Sequence, residues 1–173
     1  MGRMARDRQA WTDFVEARTP NTDAQSKPRS ISFTVDCKAA PQGSMSGVAI
    51  TRKNGLPGTI FKSDNPRTHP YRKQVGFEAL RARAAIGVHD VFAEAGVAVH
   101  VGVTFVFARP KSVSASRTMP VVKPDLDKLA RSTADALTGV LYVDDAQVVS
   151  YELHKVYGEP ECVHVHVRRM DRD

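Results

Sequence analysis

Between residues 123 and 148 the chain reads Lys-Pro-Asp-Leu-Asp-Lys-Leu-Ala-Arg-Ser-Thr-Ala-Asp-Ala-Leu-Thr-Gly-Val-Leu-Tyr-Val-Asp-Asp-Ala-Gln-Val, and its residue types could do chemistry. Pro124 favours an extended approach, Asp125 suits a helix N-cap, and Asp127 then falls in the first turn. Two carboxylates two residues apart at a loop-to-helix junction can aim at one point. Like charges held that way raise one pKa unless a cation is present. Mg²⁺ is the natural remedy, a hard ion that takes carboxylate oxygens and keeps waters for a phosphate to displace. Asp144 and Asp145 are read at the end of the strand returning from that helix, where a third ligand would be needed. The four side chains are therefore expected to converge around one shared ion. The blander account makes Asp125 a cap, Asp127 a partner of the helix dipole and Asp144-Asp145 a turn.

Arg131 lies four residues after Asp127 and four before Asp135, so the three share a helix face. Either Arg131 neutralises charge developing on a phosphoryl group, or it is an ordinary ion-pair residue. Lys128, about 100° further round, reads as a phosphate contact. This acidic segment sits in a basic chain: 25 Lys and Arg against 19 Asp and Glu give a net charge of +6. The excess is concentrated in Arg52, Lys53, Lys62, Arg67, Arg72, Lys73, Arg81 and Arg83, opposed only by Asp64 and Glu78. Such a balance favours a polyanionic partner, because each neutralised phosphate releases condensed counterions. Lys123 joins Arg52, Lys53, Lys62, Arg67, Arg72, Lys73 and Lys128 as a candidate DNA contact.

The elements that must position these groups follow from periodicity. The expected domain spans 31–173, preceded by a polar arm over 1–30 in which Met4, Trp11, Phe14 and Val15 suggest a short helix or a frayed extension. Residues 31–37 alternate as a strand, and 41–68 read as a long mobile loop with a candidate hairpin turn at Asn54-Gly55. A helix is expected from Pro70, with Tyr71, Val75, Ala79, Ala82, Ile86 and Phe92 as its stripe and Gly96 as its stop. Residues 97–108 alternate as a half-buried strand, and Leu126, Leu129, Thr133 and Leu137 mark a second helix ended by Gly139. Strands follow from Tyr142, with His164 and His166 facing outward near the end. The expected class is α+β, a mixed or antiparallel sheet packed with two main helices. A hydrophobic content of 42% excludes a wholly disordered or fibrous chain. No stretch is apolar enough to cross a membrane, the N-terminus does not read as a secretory signal, and Cys37 and Cys162 read as reduced, buried thiols.

Lys-Pro-Asp-Leu-Asp-Lys-Leu, then Asp-Ala-Leu-Thr-Gly, then Asp-Asp-Ala-Gln-Val, in that order, resembles the signature of the RusA family of Holliday junction resolvases, known from bacteria and their phages. The resemblance implies a RusA-like fold over Ile31 to Val167 and a homodimeric, Mg²⁺-dependent endonuclease that nicks four-way junctions symmetrically, Mn²⁺ being able to substitute. It implies a cytoplasmic setting in a bacterial cell or phage-infected host. On it, Asp125, Asp127 and Asp145 correspond to the family's essential carboxylates, with Asp144 auxiliary and Arg131 standing where the family has a lysine thought to assist catalysis. Three departures stand out: Lys128 replaces an Asn, Arg131 replaces that lysine, and Ala40-Pro41-Gln-Gly-Ser-Met has lost the basic stretch common in phage members. A junction-binding accessory that no longer cuts, and an unrelated Mg²⁺-dependent phosphodiesterase, are the competing readings.

Overall fold

Strand β4 (Val99–Phe107) is the spine of the protein. Its odd-numbered residues Val99, Val101, Val103 and Phe105 are buried, as alternation demands. The even-numbered face is half-buried or, at Gly102 and Val106, covered as well, because strands flank β4 on both sides. The computed structural model describes residues 28–63 and 65–170, with the side chains of 45, 46 and 61–63 left aside. The stretch from Met4 to Val15, read as a short helix or a frayed extension, lies outside the described residues.

A four-stranded sheet runs in the order β1 (Ser30–Val35), β6 (Cys162–Arg169), β4, β5 (Val148–Tyr157). β6 pairs antiparallel with both β1 and β4, whereas β4 and β5 are parallel. The parallel pair needs a crossover, and helix α2 (Leu126–Leu137) lies within it. Helix α1 (Thr68–Ala85) packs on α2 and on β1. Val163, Val165 and Val167 of β6 meet the β4 valines, Leu129 and Leu137 of α2, and Val75 and Ala79 of α1 in one core. Burying a leucine such as Leu129 completely is worth about 2 kcal/mol. Among the described residues the class is α+β with a mixed sheet and two helices, as the sequence predicts.

Three local expectations need correction. Residues 41–68 are not a loop throughout, and the hairpin expected inside them around Asn54-Gly55 is present. β2 (Met45–Thr51) and β3 (Pro57–Ser63) form a separate two-stranded sheet. Its turn is the Asn54-Gly55 one, with Gly55 at φ 78°. The first helix stops at Gly87, not Gly96. Gly87 takes φ 71°, its N–H donates to Ala84 O, and the Val88 N–H donates to Arg83 O, the paired bonds of a left-handed helix stop. Phe92 consequently reaches the core from a loop, and Ile86 is exposed. Finally, Tyr142 does not open a strand. A single 3₁₀ turn, Asp145–Gln147, intervenes, so the Asp144-Asp145 pair leads into β5 rather than ending a strand.

Candidate active site

Asp125 occupies the N-cap position of α2 with extended backbone, but its side chain makes no capping bond. The carboxylate instead pairs with Lys128 at 3.3 Å, both groups roughly half exposed. Asp127 lies in the first turn of the helix, and Asp127, Lys128, Arg131 and Lys123 all face solvent. The segment leading into Asp125, with a cis Lys123–Pro124 peptide, is fastened from the sheet. The Lys155 ammonium on β5 donates to Val122 O at 2.7 Å and to Pro124 O at 2.8 Å.

At the other end of α2, the second aspartate pair is held by different bonds. Asp144 caps the 3₁₀ turn, its carboxylate accepting from Ala146 N at 2.8 Å. Gln147 closes the reciprocal half of this box and spends its whole amide. Its Oε1 accepts from Val143 N at 2.9 Å and Asp144 N at 3.0 Å. Its Nε2 donates to Glu94 O at 2.7 Å and Val97 O at 2.9 Å. Asp145 is left exposed beside two tyrosines. Burial, and behind it the Asp145 and Asp135 charges, push the Tyr151 hydroxyl above its usual range. Tyr142 is raised in the same direction, first by its burial and then by Tyr151, Asp145 and Asp135. Its hydroxyl donates to Ala134 O at 2.9 Å, which ties the turn to the last part of α2.

The two carboxylate pairs therefore do not converge within one chain. Asp125 opens α2, Asp144 and Asp145 lie beyond its far end, and a helix of 12 residues is about 18 Å long. Among the described residues, no three His, Cys, Asp or Glu side chains are grouped so as to hold a metal ion. Asp135 does not serve Arg131. It takes the guanidinium of Arg72 from α1, a pair with both side chains about 30% exposed. His164 and His166 do face away from the core, and their rings bond Thr34 and Ser32 across the β1–β6 ladder.

Six of the eight basic candidates lie on or beside two elements, the β2–β3 hairpin and α1; Lys123 and Lys128 flank Asp125 at the start of α2. Arg52 and Lys53 are exposed at the tip of the β2–β3 hairpin, and Lys62 is on β3. Arg67 precedes the first turn of α1, and Arg72 and Lys73 lie within it. Arg67 and Lys73 are exposed, while Arg72 is turned toward α2.

The chain's similarity to known proteins fits this arrangement. The profile of the family described as endodeoxyribonuclease RusA matches residues 49–168, from β2 to the end of β6 and across both aspartate pairs. The chain belongs to the RusA family. It is also similar to the uncharacterized protein YqaN of Bacillus subtilis (strain 168), with 37% identity over 71 residues, which cover 35% of this chain and 50% of that protein. The chain thus matches about half the length of that curated relative. No helix among the described residues is long and apolar enough to cross a membrane.

Within this RusA-family fold, two residues escape a sequence reading. Gln147 lies inside the Asp-Asp-Ala-Gln-Val block but carries no chemistry of its own. Lys155 lies outside it, and its one signal is a broken pattern. Residues 151, 153 and 157 of β5 pair with Val101, Val103 and Phe107 of β4, and Lys155 pairs with Phe105 in the same series. A lysine in that row is out of place unless its ammonium has somewhere to go.

Proposed function

We propose that this chain is a Mg²⁺-dependent endonuclease that resolves four-way DNA junctions by paired symmetric nicks, acting as a homodimer. The family match carries the reading, because it spans both aspartate segments and the elements between them. The donor chemistry suits a hard divalent ion. Asp125, Asp127, Asp144 and Asp145 offer carboxylate oxygens only, and all four are at least partly exposed. Mn²⁺, with a similar taste for oxygen, is expected to substitute. Bound there, the ion supplies the Lewis acidity that makes water a nucleophile and offsets charge at the phosphodiester, giving a 5′-phosphate and a 3′-hydroxyl.

The remaining work falls to the chain's own side chains. Arg131, about one turn along α2 from Asp127, offers a planar fork to the phosphoryl oxygens. Lys128 pairs with Asp125. Once that carboxylate has another counter-charge, the ammonium can turn to a DNA phosphate. Arg52, Lys53, Lys62, Arg67, Lys73 and Lys123 then hold the arms of the junction, and Arg72 braces α1 on α2.

The spacing along α2 gives the dimer its purpose. If one ion needs both aspartate pairs, a second copy must bring Asp144 and Asp145 to the first copy's Asp125 and Asp127. A closed twofold dimer then makes two equivalent sites, matching the near-twofold symmetry of a junction.

The test is a synthetic immobile junction and a matched linear duplex, each with Mg²⁺ or EDTA, using the natural chain and Asp127→Asn. Cleavage of the junction alone, abolished by EDTA and by the substitution, is the expected result. Junction binding without product under any metal would replace the nuclease by a binding accessory. Equal cutting of both substrates would remove the junction selectivity.

A further inference from the structure

We infer that Lys155 is a positioning residue for the Asp125 and Asp127 carboxylates, setting from the sheet where that half of the proposed ion site stands. The inference rests on the nuclease reading above and adds a residue outside the aspartate segments. Lys155 is a charged residue in a row of β5 that also holds Tyr151, Leu153 and Tyr157. Leu153 and Tyr157, two residues to either side of Lys155 on β5, both pack against the core. Lys155 shares their row, opposite Phe105. A stem among apolar neighbours with the charge carried to the edge is how lysine tolerates such a place. Here the charge does not end in water. Two of the three ammonium donors are taken by the carbonyls of Val122 and Pro124, at 2.7 and 2.8 Å.

Those carbonyls belong to the residues just before Asp125, on either side of Lys123. Residues 121–123 are exposed, with Val121 74% exposed, so packing does little to hold this stretch. Two charge-assisted hydrogen bonds from β5, the edge strand paired along its length with β4, do what packing does not. They fix the entry to α2, and with it the direction in which Asp125 and Asp127 leave the helix start. A second fastening acts on the first turn of α2, where Gln42 N donates to Lys128 O at 2.9 Å. Among the described residues, the Lys155 clamp is the one that bears on the residues directly preceding Asp125. With two donors already engaged on backbone oxygens, Lys155 acts through the loop and not on DNA.

The experiment compares the natural chain with Lys155→Met and Lys155→Arg. Mn²⁺ binding is measured directly from the electron paramagnetic resonance signal of the free ion, without DNA. The metal concentration for half-maximal junction cleavage, junction affinity in EDTA and the thermal midpoint are measured alongside. Lys155→Met is expected to weaken Mn²⁺ binding roughly tenfold or more, as loss of an outer partner of a ligand does. The half-maximal metal concentration should rise by a similar factor while junction affinity in EDTA is unchanged. Lys155→Arg, which keeps charge and donors, should recover part of the loss. A merely structural lysine would lower the thermal midpoint without moving the metal requirement, and that result overturns the inference. Should Lys155→Met not fold, Lys155→Gln carries the same comparison, because its amide can still donate to one carbonyl. Natural chain that binds Mn²⁺ and cuts, beside folded variants with unchanged metal affinity, removes this inference alone. Natural chain that neither binds Mn²⁺ nor cuts removes the nuclease reading as well.

Discussion

Individual side chains in this protein are set more by the backbone groups they reach than by their formal chemistry. Asp125 and Asp144 both stand where a helical turn begins, yet only Asp144 accepts a backbone N–H, while Asp125 keeps its carboxylate for Lys128. Cys37 gives a titration test of the same kind. Burial, with smaller contributions from Asp36 and Cys162, pushes its thiol from 9.0 to about 11. The folded chain therefore keeps this proton between those pH values while the unfolded chain loses it. The contribution to stability is complete below pH 9 and is lost as the pH rises toward 11. Alkylation of Cys37 by iodoacetamide, followed by mass at that peptide, is expected to keep accelerating from pH 9 to 11. A plateau by about pH 10 would show an ordinary thiol.

At the scale of elements, the two helices are joined by apolar contacts and by a few polar bonds that cross between them. The Tyr71 hydroxyl meets Thr133 Oγ1 at 2.7 Å and Arg72 pairs with Asp135, while Arg83 donates to Val140 O, just beyond the end of α2, at 2.8 Å. Since the Arg72–Asp135 pair is partly exposed, its worth is about 1 kcal/mol. Asp135→Asn should lower the thermal midpoint by about 3 °C at low salt. The difference should shrink in 1 M salt, where exposed ion pairs are screened. An equal loss at both salt concentrations would mean that the pair acts by packing. Much at this scale was legible beforehand. The β1, β4 and β6 alternations, the Asn54-Gly55 turn and the Leu126–Leu137 stripe are local patterns that burial then uses. The stop at Gly87 was not legible, because the apolar stripe runs up to it at Ile86 and resumes beyond it at Phe92. Only the left-handed backbone at Gly87 separates the residue that leaves the helix exposed from the one that returns to the core.

For the molecule as a whole, the decisive fact is the length of α2 between the two aspartate pairs. Mixing chains tests the shared site that this length demands of the proposed dimer. Asp127→Asn and Asp145→Asn, each inactive alone, are co-expressed so that mixed dimers form. If each site draws on both copies, a mixed dimer holds one doubly damaged site and one intact site. The mixture should regain about a quarter of the nicking rate, without recovering paired cuts. A site contained in one chain would leave every site in the mixture damaged and the mixture as inert as its parents.

The sequence by itself determined which residues are available and what they are suited to: carboxylates in a fixed order around an amphipathic helix, and a basic excess to meet a polyanion. It also determined the class of fold, since alternation and helical stripes are properties of neighbours along the chain. Tertiary structure alone decided the distances. It set the aspartate pairs at opposite ends of α2 and brought Lys155, some thirty residues away, onto the carbonyls before Asp125. Periodicity records which face of an element is buried but not which end of it meets another. That depends on the parallel pairing of β4 with β5, and strand partners far apart in the chain leave no mark in local sequence.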